Sequence, residues 1–227
     1  MTPERFERLK RVLGRRQPDL TVLMDNVHKP HNLAAVMRTC DAVGILEVHG
    51  VFAEEAARPS RAVAQGAQRW VHLEHHATIS AAAGHLRGED FRIVAAHPAE
   101  DAIDFREYDY TQKTALLLGQ ELDGISRDAL DTSDDLVVIP MKGFVASLNV
   151  SVAAALILFE AQRQRELAGM YGESRIPEER RHELLFEWAY PQIARLCRER
   201  GIAYPRFGEG GEILDPLPFT GTRGDER

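Results

Sequence analysis

Five polar residues, in three stretches that mix glycine and apolar side chains with further polar ones, are of types able to take part in a reaction. They are Asn32 and Arg38 in HKPHNLAAVMRTCDAVG, Glu121 in GQELDGIS, and Ser147 and Asn149 in IPMKGFVASLNVSVA. A guanidinium is effectively always protonated, so Arg38 suits clamping a phosphate or stabilising a developing negative charge, not accepting a proton. Its neighbours Ala34, Ala35, Val36 and Met37 form an apolar segment, so Arg38 either snorkels to solvent, meets a phosphate, or pairs with Asp41 or Glu47. Asn32, Ser147 and Asn149 are also ordinary helix-capping types, and Glu121 suits tying down loop amides.

The elements that must position these residues follow from hydropathy. Ala115–Leu118 and Leu136–Ile139 are short apolar runs with strand character, and each gives way to a loop containing glycine. Strand, glycine loop, helix is how α/β proteins build ligand sites at the carboxyl ends of strands. Two such loops in one stretch can converge on one ligand, and Gly119, Gly124 and Gly143 allow backbone to approach a flat base. From Val150 to Phe159 only Ser151 is polar. That helix is far too short to span a membrane and has no solvated stripe, so it needs a second cover, read as a subunit partner. Further strand-like runs at Leu20–Val27, Ile45–Phe52, Trp70–Leu73 and Phe91–Ala96 alternate with helices, including Leu33–Val43 capped by Asn32, Arg58–Gln65 and Thr78–Leu86. This predicts an α/β fold with a Rossmann-like, mostly parallel sheet. No G-x-G-x-x-G follows the first strand, which counts against a dinucleotide enzyme.

The three stretches quoted above, in that order, resemble the motif signature of the SpoU/TrmH family of RNA 2'-O-ribose methyltransferases over roughly residues 20–171. The flanks RRQPDLTV, DFREYDYT and FEAQRQRELAGMY resemble the branch acting on tRNA guanosine, with ribosomal RNA methylation as the alternative. The resemblance implies a SPOUT fold with a C-terminal deep trefoil knot and S-adenosyl-L-methionine as cofactor, held through Ala96, Gly119, Ile139 and Leu148. It implies Arg38, Asn32, Glu121, Ser147 and Asn149 as the catalytic set, and a homodimer acting on tRNA. A non-catalytic RNA-binding module on the same fold is the competing class, against which the intact motif residues speak. Lys142 departs from the apolar character usual in the third motif.

Composition sets the outer limits. The 227-residue chain has a net charge of −7, unfavourable in itself for a polyanionic partner, yet six bases (Arg5, Arg8, Lys10, Arg11, Arg15, Arg16) fall within residues 1–16. Distribution outweighs the sum. Thr2 and Pro3 open a helix there with Phe6, Leu9 and Leu13 on one stripe. The candidate RNA contacts are Arg8, Arg11, Arg16, His31, Arg163 and Arg165. Two cysteines, Cys40 and Cys197, point to a reducing compartment, and MTPERFERLKR has no apolar stretch of signal-peptide type. The expectation is a cytoplasmic protein without membrane or metal. His72, His75 and His76 invite a metal, but no carboxylate or cysteine is read at ligand spacing beside them. The predicted division is a basic helical arm (1–19), a methyltransferase domain (20–168), and a helical extension with a Gly/Pro-rich tail, extended or disordered (169–227).

Overall fold

The computed structural model describes residues 1–27, 29–52, 69–120 and 124–215. The elements in chain order are α1 (Pro3–Leu13), β1 (Leu20–Asp25), α2 (Pro30–Ala42), β2 (Glu47–Val51), β3 (His72–His75), α3 (Ile79–Gly88), β4 (Arg92–Ala96), β5 (Ile103–Asp104), β6 (Thr114–Leu118), α4 (Arg127–Leu130), β7 (Asp135–Val138), α5 (Val150–Leu167), α6 (Glu178–Ala189) and α7 (Pro191–Arg200). They form two compact units: Arg16–Arg175, and Met1–Arg15 with the chain from Ile176. The N-terminal helix groups with the C-terminal helices. The expected helix at Arg58–Gln65 lies outside the described residues.

Among the described residues of the larger unit, seven strands run in the order β3-β2-β1-β6-β4-β7-β5, and each strand pairing is parallel. Strand alternation decides which helices cover which face. On β1, Leu20, Val22 and Met24 point to one side and Leu23 to the other; on β6, Leu116 and Leu118 oppose Ala115 and Leu117. The first face packs on α2 and α5 through Leu33, Val36, Met37, Ala154 and Leu158. The second packs on α3 and α4 through Ile79, Ala82, Leu86 and Ala129. Covering both faces is what a parallel sheet requires, and each fully buried Leu or Val contributes about 1.5–3 kcal/mol. At two residues, β5 is too short for a hydropathy period to show.

Proline sets two helix boundaries, the first of which differs from expectation. Proline has no N–H to lose at the first helical position, so Pro30 opens α2 with Lys29 as N-cap, and the helix starts three residues before Leu33. Likewise Pro191 begins α7 where α6 has ended.

In the smaller unit, Thr2 caps α1 by accepting from Arg5 N, and Phe6, Leu9 and Leu13 are buried. Phe6 meets Phe207 edge-on with centroids 5.2 Å apart, and Phe207 stacks on His182 at 4.4 Å. The Tyr190 hydroxyl donates to Gly211 O. The chain from Tyr204 to Asp215 is thus packed and hydrogen-bonded, against the expectation of an extended or disordered tail there. Among the described residues no helix is long and apolar enough to cross a membrane.

Candidate functional site

The carboxyl ends of β4, β6 and β7 and the start of α5 enclose a cavity of about 310 Å³. Ala96, Gly119, Ile139 and Leu148, drawn from four separate segments, all line it, and so does Ser147. Its remaining walls are largely apolar, with Leu118, Ile125, Val137 and Ile157 among them. The strand ends supply backbone N–H and C=O groups beside an apolar slot, which suits a flat base whose edge is read by main chain.

Gly119 owes its place to close backbone packing. A Cβ there would stand 2.3 Å from the Gly124 carbonyl carbon and from Ile125 N. Gln120 and Gly124 exchange both backbone hydrogen bonds (3.0 and 3.1 Å), and Gly124 has φ +70°. Gly143, by contrast, has open space around its Cα. Glu121 lies outside the described residues. Asp25, a buried carboxylate at the end of β1, ties down a backbone amide in the loop after Gly124. Its Oδ2 accepts from Ser126 N at 2.8 Å and its Oδ1 from Asn26 Nδ2 at 3.1 Å. Sequence reasoning passed over Asp25; the available signal was a carboxylate closing the apolar run LTVLM.

Asn149 caps α5, its Oδ1 accepting from Ser151 N (2.9 Å) and from the Ser151 hydroxyl (2.6 Å). Its amide nitrogen donates to Asn32 Oδ1 at 3.3 Å. Asn32 is 2% exposed in the first turn of α2, so it is not that helix's N-cap. Arg38 lies two turns along α2 on its exposed side. Of the two carboxylates considered for it, Asp41 is engaged by Arg16, Nη2 to Oδ1 2.5 Å.

The candidate RNA contacts divide sharply. Arg8, Arg11, His31 and Arg163 are exposed, Arg163 pairing with Glu160 at 2.7 Å. Arg16 and Arg165 are corrections to the sequence reading: their exposures are 1% and 0%. Arg16 also donates to Ile45 O at 2.8 Å. Arg165 donates to Tyr110 O (2.8 Å), Gln17 Oε1 (3.1 Å), Asp19 Oδ1 (2.6 Å), Asp19 O (2.9 Å) and Gln112 O (2.9 Å). These bonds use all the guanidinium donors, leaving none for a phosphate. Burial pulls its pKa down while the Asp19 carboxylate opposes that shift.

A parallel sheet with a base-sized cavity at its strand ends defines a nucleotide-type cofactor site. The SpoU rRNA Methylase family profile matches residues 19–159, and that family's C-terminal profile matches residues 163–216. The chain therefore belongs to the SpoU methylase family. It is 49% identical over 215 residues, 94% of each chain, to the tRNA (guanosine(18)-2'-O)-methyltransferase of Escherichia coli. The crystal structure of the Aquifex aeolicus TrmH/SpoU tRNA modifying enzyme superposes with a TM-score of 0.78 at 42% identity, covering 84% of this chain and 97% of that one. The SpoU methyltransferase AviRb of Streptomyces viridochromogenes, in complex with the cofactor AdoMet, superposes with a TM-score of 0.61 at 27% identity, covering 66% of this chain and 62% of that one.

Proposed function

We propose that this chain transfers a methyl group from S-adenosyl-L-methionine to the ribose 2'-hydroxyl of guanosine 18 in the D-loop of tRNA. The observation that carries the reading is the likeness to the Escherichia coli enzyme across 94% of both chains. The cavity supports it: Ala96, Gly119, Ile139 and Leu148 meet in one slot, which fits an adenine held by backbone at its edge and by Ile139 and Leu148 on its faces. When bound, the cofactor supplies an electrophilic methyl group.

The protein's own residues supply positioning and electrostatics. Arg38, permanently cationic, holds an RNA phosphate and stabilises negative charge developing on the 2'-oxygen. The Asn149–Asn32 contact fixes the third motif loop against the start of α2, and Ser147 faces the cavity from that loop. Arg8, Arg11, His31 and Arg163 meet the tRNA backbone. Glu121 belongs to the same catalytic set by family resemblance, and the trefoil threading of the C-terminal part of the domain rests on that resemblance too.

The working unit is a homodimer in the cytoplasm. Val152, Leu156 and Phe159 are spaced four and three apart along α5, one helix face. They are 46%, 42% and 50% exposed in the single chain, and that apolar face is the surface a second copy would cover.

The reading is tested by incubating tRNA with the protein and methyl-labelled S-adenosylmethionine, followed by nucleoside mass spectrometry. Labelled 2'-O-methylguanosine at position 18 is the expected product. Label on a base alone, or on ribosomal RNA alone, would overturn it.

A further inference from the structure

Away from the cavity, at the β3 edge of the sheet, four side chains with metal-binding atoms converge. His49 on β2 and Glu74 on β3 are register partners, so parallel pairing sets them side by side. His76 follows Glu74 by two residues and shares its face; its N–H extends the ladder to Gly50 O at 2.9 Å. Helix α3 covers this face, and its His85 turns toward the same carboxylate. The sequence reading set a metal aside at His72, His75 and His76 for want of a carboxylate beside them; Glu74 is that carboxylate. His75 instead faces Phe52 O at 3.3 Å, and only His76 of the three joins the cluster.

His49, Glu74 and His76 each offer a ligand atom within 4.8 Å of the other two, and His85 joins them through Glu74 while also facing Glu89 Oε1 at 3.6 Å. His49 Nδ1 is 3.0 Å from His76 Nε2 and 3.7 Å from Glu74 Oε2. His76 Nε2 is 3.9 Å from Glu74 Oε1, and His85 Nε2 is 3.7 Å from Glu74 Oε2. The three imidazole centroids stand 5.2, 5.4 and 5.5 Å apart. Ligand atoms held tetrahedrally at about 2.1 Å from zinc lie roughly 3.4 Å from one another, within the spread seen here.

Three imidazoles and one carboxylate select a borderline divalent transition ion over magnesium or calcium.

We propose that His49, Glu74, His76 and His85 form a structural zinc site that pins strands β2 and β3 to helix α3. The site is separate from methyl transfer, so its test does not depend on the proposed activity. The full chain is stripped with a chelator, checked for retained S-adenosylmethionine binding, and titrated with zinc sulfate by calorimetry and thermal melting. Cobalt(II) serves as a spectroscopic probe of coordination geometry. One zinc per chain, a melting temperature raised by several degrees, and tetrahedral cobalt bands are expected. His85→Ala and Glu74→Gln alter the two partly exposed ligands, and each should weaken zinc binding at least tenfold while leaving the metal-free melt nearly unchanged. No stoichiometric uptake by the folded chain, or uptake of equal affinity in both variants, would overturn the site and leave a hydrogen-bonded histidine cluster in its place.

Discussion

Asn149 donates its side-chain amide to the side-chain carbonyl of Asn32 across 3.3 Å, joining the cap of α5 to the first turn of α2 over 117 residues of chain. One residue thus does two jobs with two atoms: its oxygen closes α5 and its nitrogen holds α2.

Asn149→Asp keeps the capping oxygen and loses the donor to Asn32. The variant should melt close to the parent, while S-adenosylmethionine affinity and turnover fall at least tenfold. Asn149→Ala should lose the cap as well, at a cost of about 1 kcal/mol. Calorimetric cofactor binding beside thermal melts separates the two. If Asp and Ala behave alike in both assays, the bond to Asn32 is incidental.

Arg165 and Arg163 stand two residues apart and should behave oppositely. Arg165→Met strands the carbonyls of Tyr110, Asp19 and Gln112 and the Gln17 side chain in a buried site, and should cost about 3–5 kcal/mol in urea unfolding. Arg163→Ala removes an exposed ion pair and should change stability by less than about 1 kcal/mol.

Arg38→Ala should cut single-turnover rate severely and leave cofactor affinity and melting nearly unchanged. Arg8→Ala with Arg11→Ala should instead weaken tRNA binding and flatten its salt dependence, by about 0.7–0.9 in the log–log slope for every phosphate the protein no longer neutralises. Binding across a salt series, measured beside rates, checks both. Equal loss of affinity and rate in Arg38→Ala would make it a substrate anchor only.

Leu156→Asp places a charge in the centre of the exposed α5 face and should convert the dimer to monomer in sedimentation at micromolar concentration, with cofactor binding falling in step. A parent protein that sediments as a monomer at full activity would remove the dimer.

His49 predicts an acid limb in stability. Its folded pKa of about 4 lies below its ordinary 6.5, through burial first and then the neighbouring His76, with His85 and His72 adding to the depression and Glu74 opposing it. Between those values the unfolded chain binds more protons than the folded one. Stability is therefore full at neutral pH and declines as pH falls through that window, by on the order of 2 kcal/mol after allowance for solvent. Urea midpoints of the metal-free chain at pH 7, 6, 5 and 4, beside His49→Gln, should show a flatter curve in the variant.

Part of the site is legible in the sequence: apolar runs ending near Ala96, Leu118 and Ile139 alternate with helices and mark strand ends, while the choice of Ala96, Gly119, Ile139 and Leu148 as cofactor contacts came from the family resemblance. The parallel sheet and both of its covered faces follow from the same alternation. What sequence could not supply was burial of charge. Arg16 and Arg165 carry the signature of surface bases, and only the carboxylates and carbonyls brought to them by distant segments make their interior placement tolerable. The histidine cluster was hidden by register: His49 meets Glu74 only because β2 and β3 pair as they do, and a strand placed two residues earlier, at Trp70–Leu73, obscures the match.

Arg165 also fixes an order in time. Its partners Gln17, Asp19, Tyr110 and Gln112 all precede it in the chain, at separations of 148, 146, 55 and 53 residues. On the ribosome those acceptors emerge first and stay hydrated until α5 follows. Closure of the Arg16–Arg175 unit is therefore a late step of synthesis. A nascent chain halted before α5 lacks the donor that gathers those segments, and is left exposed to chaperones and proteases.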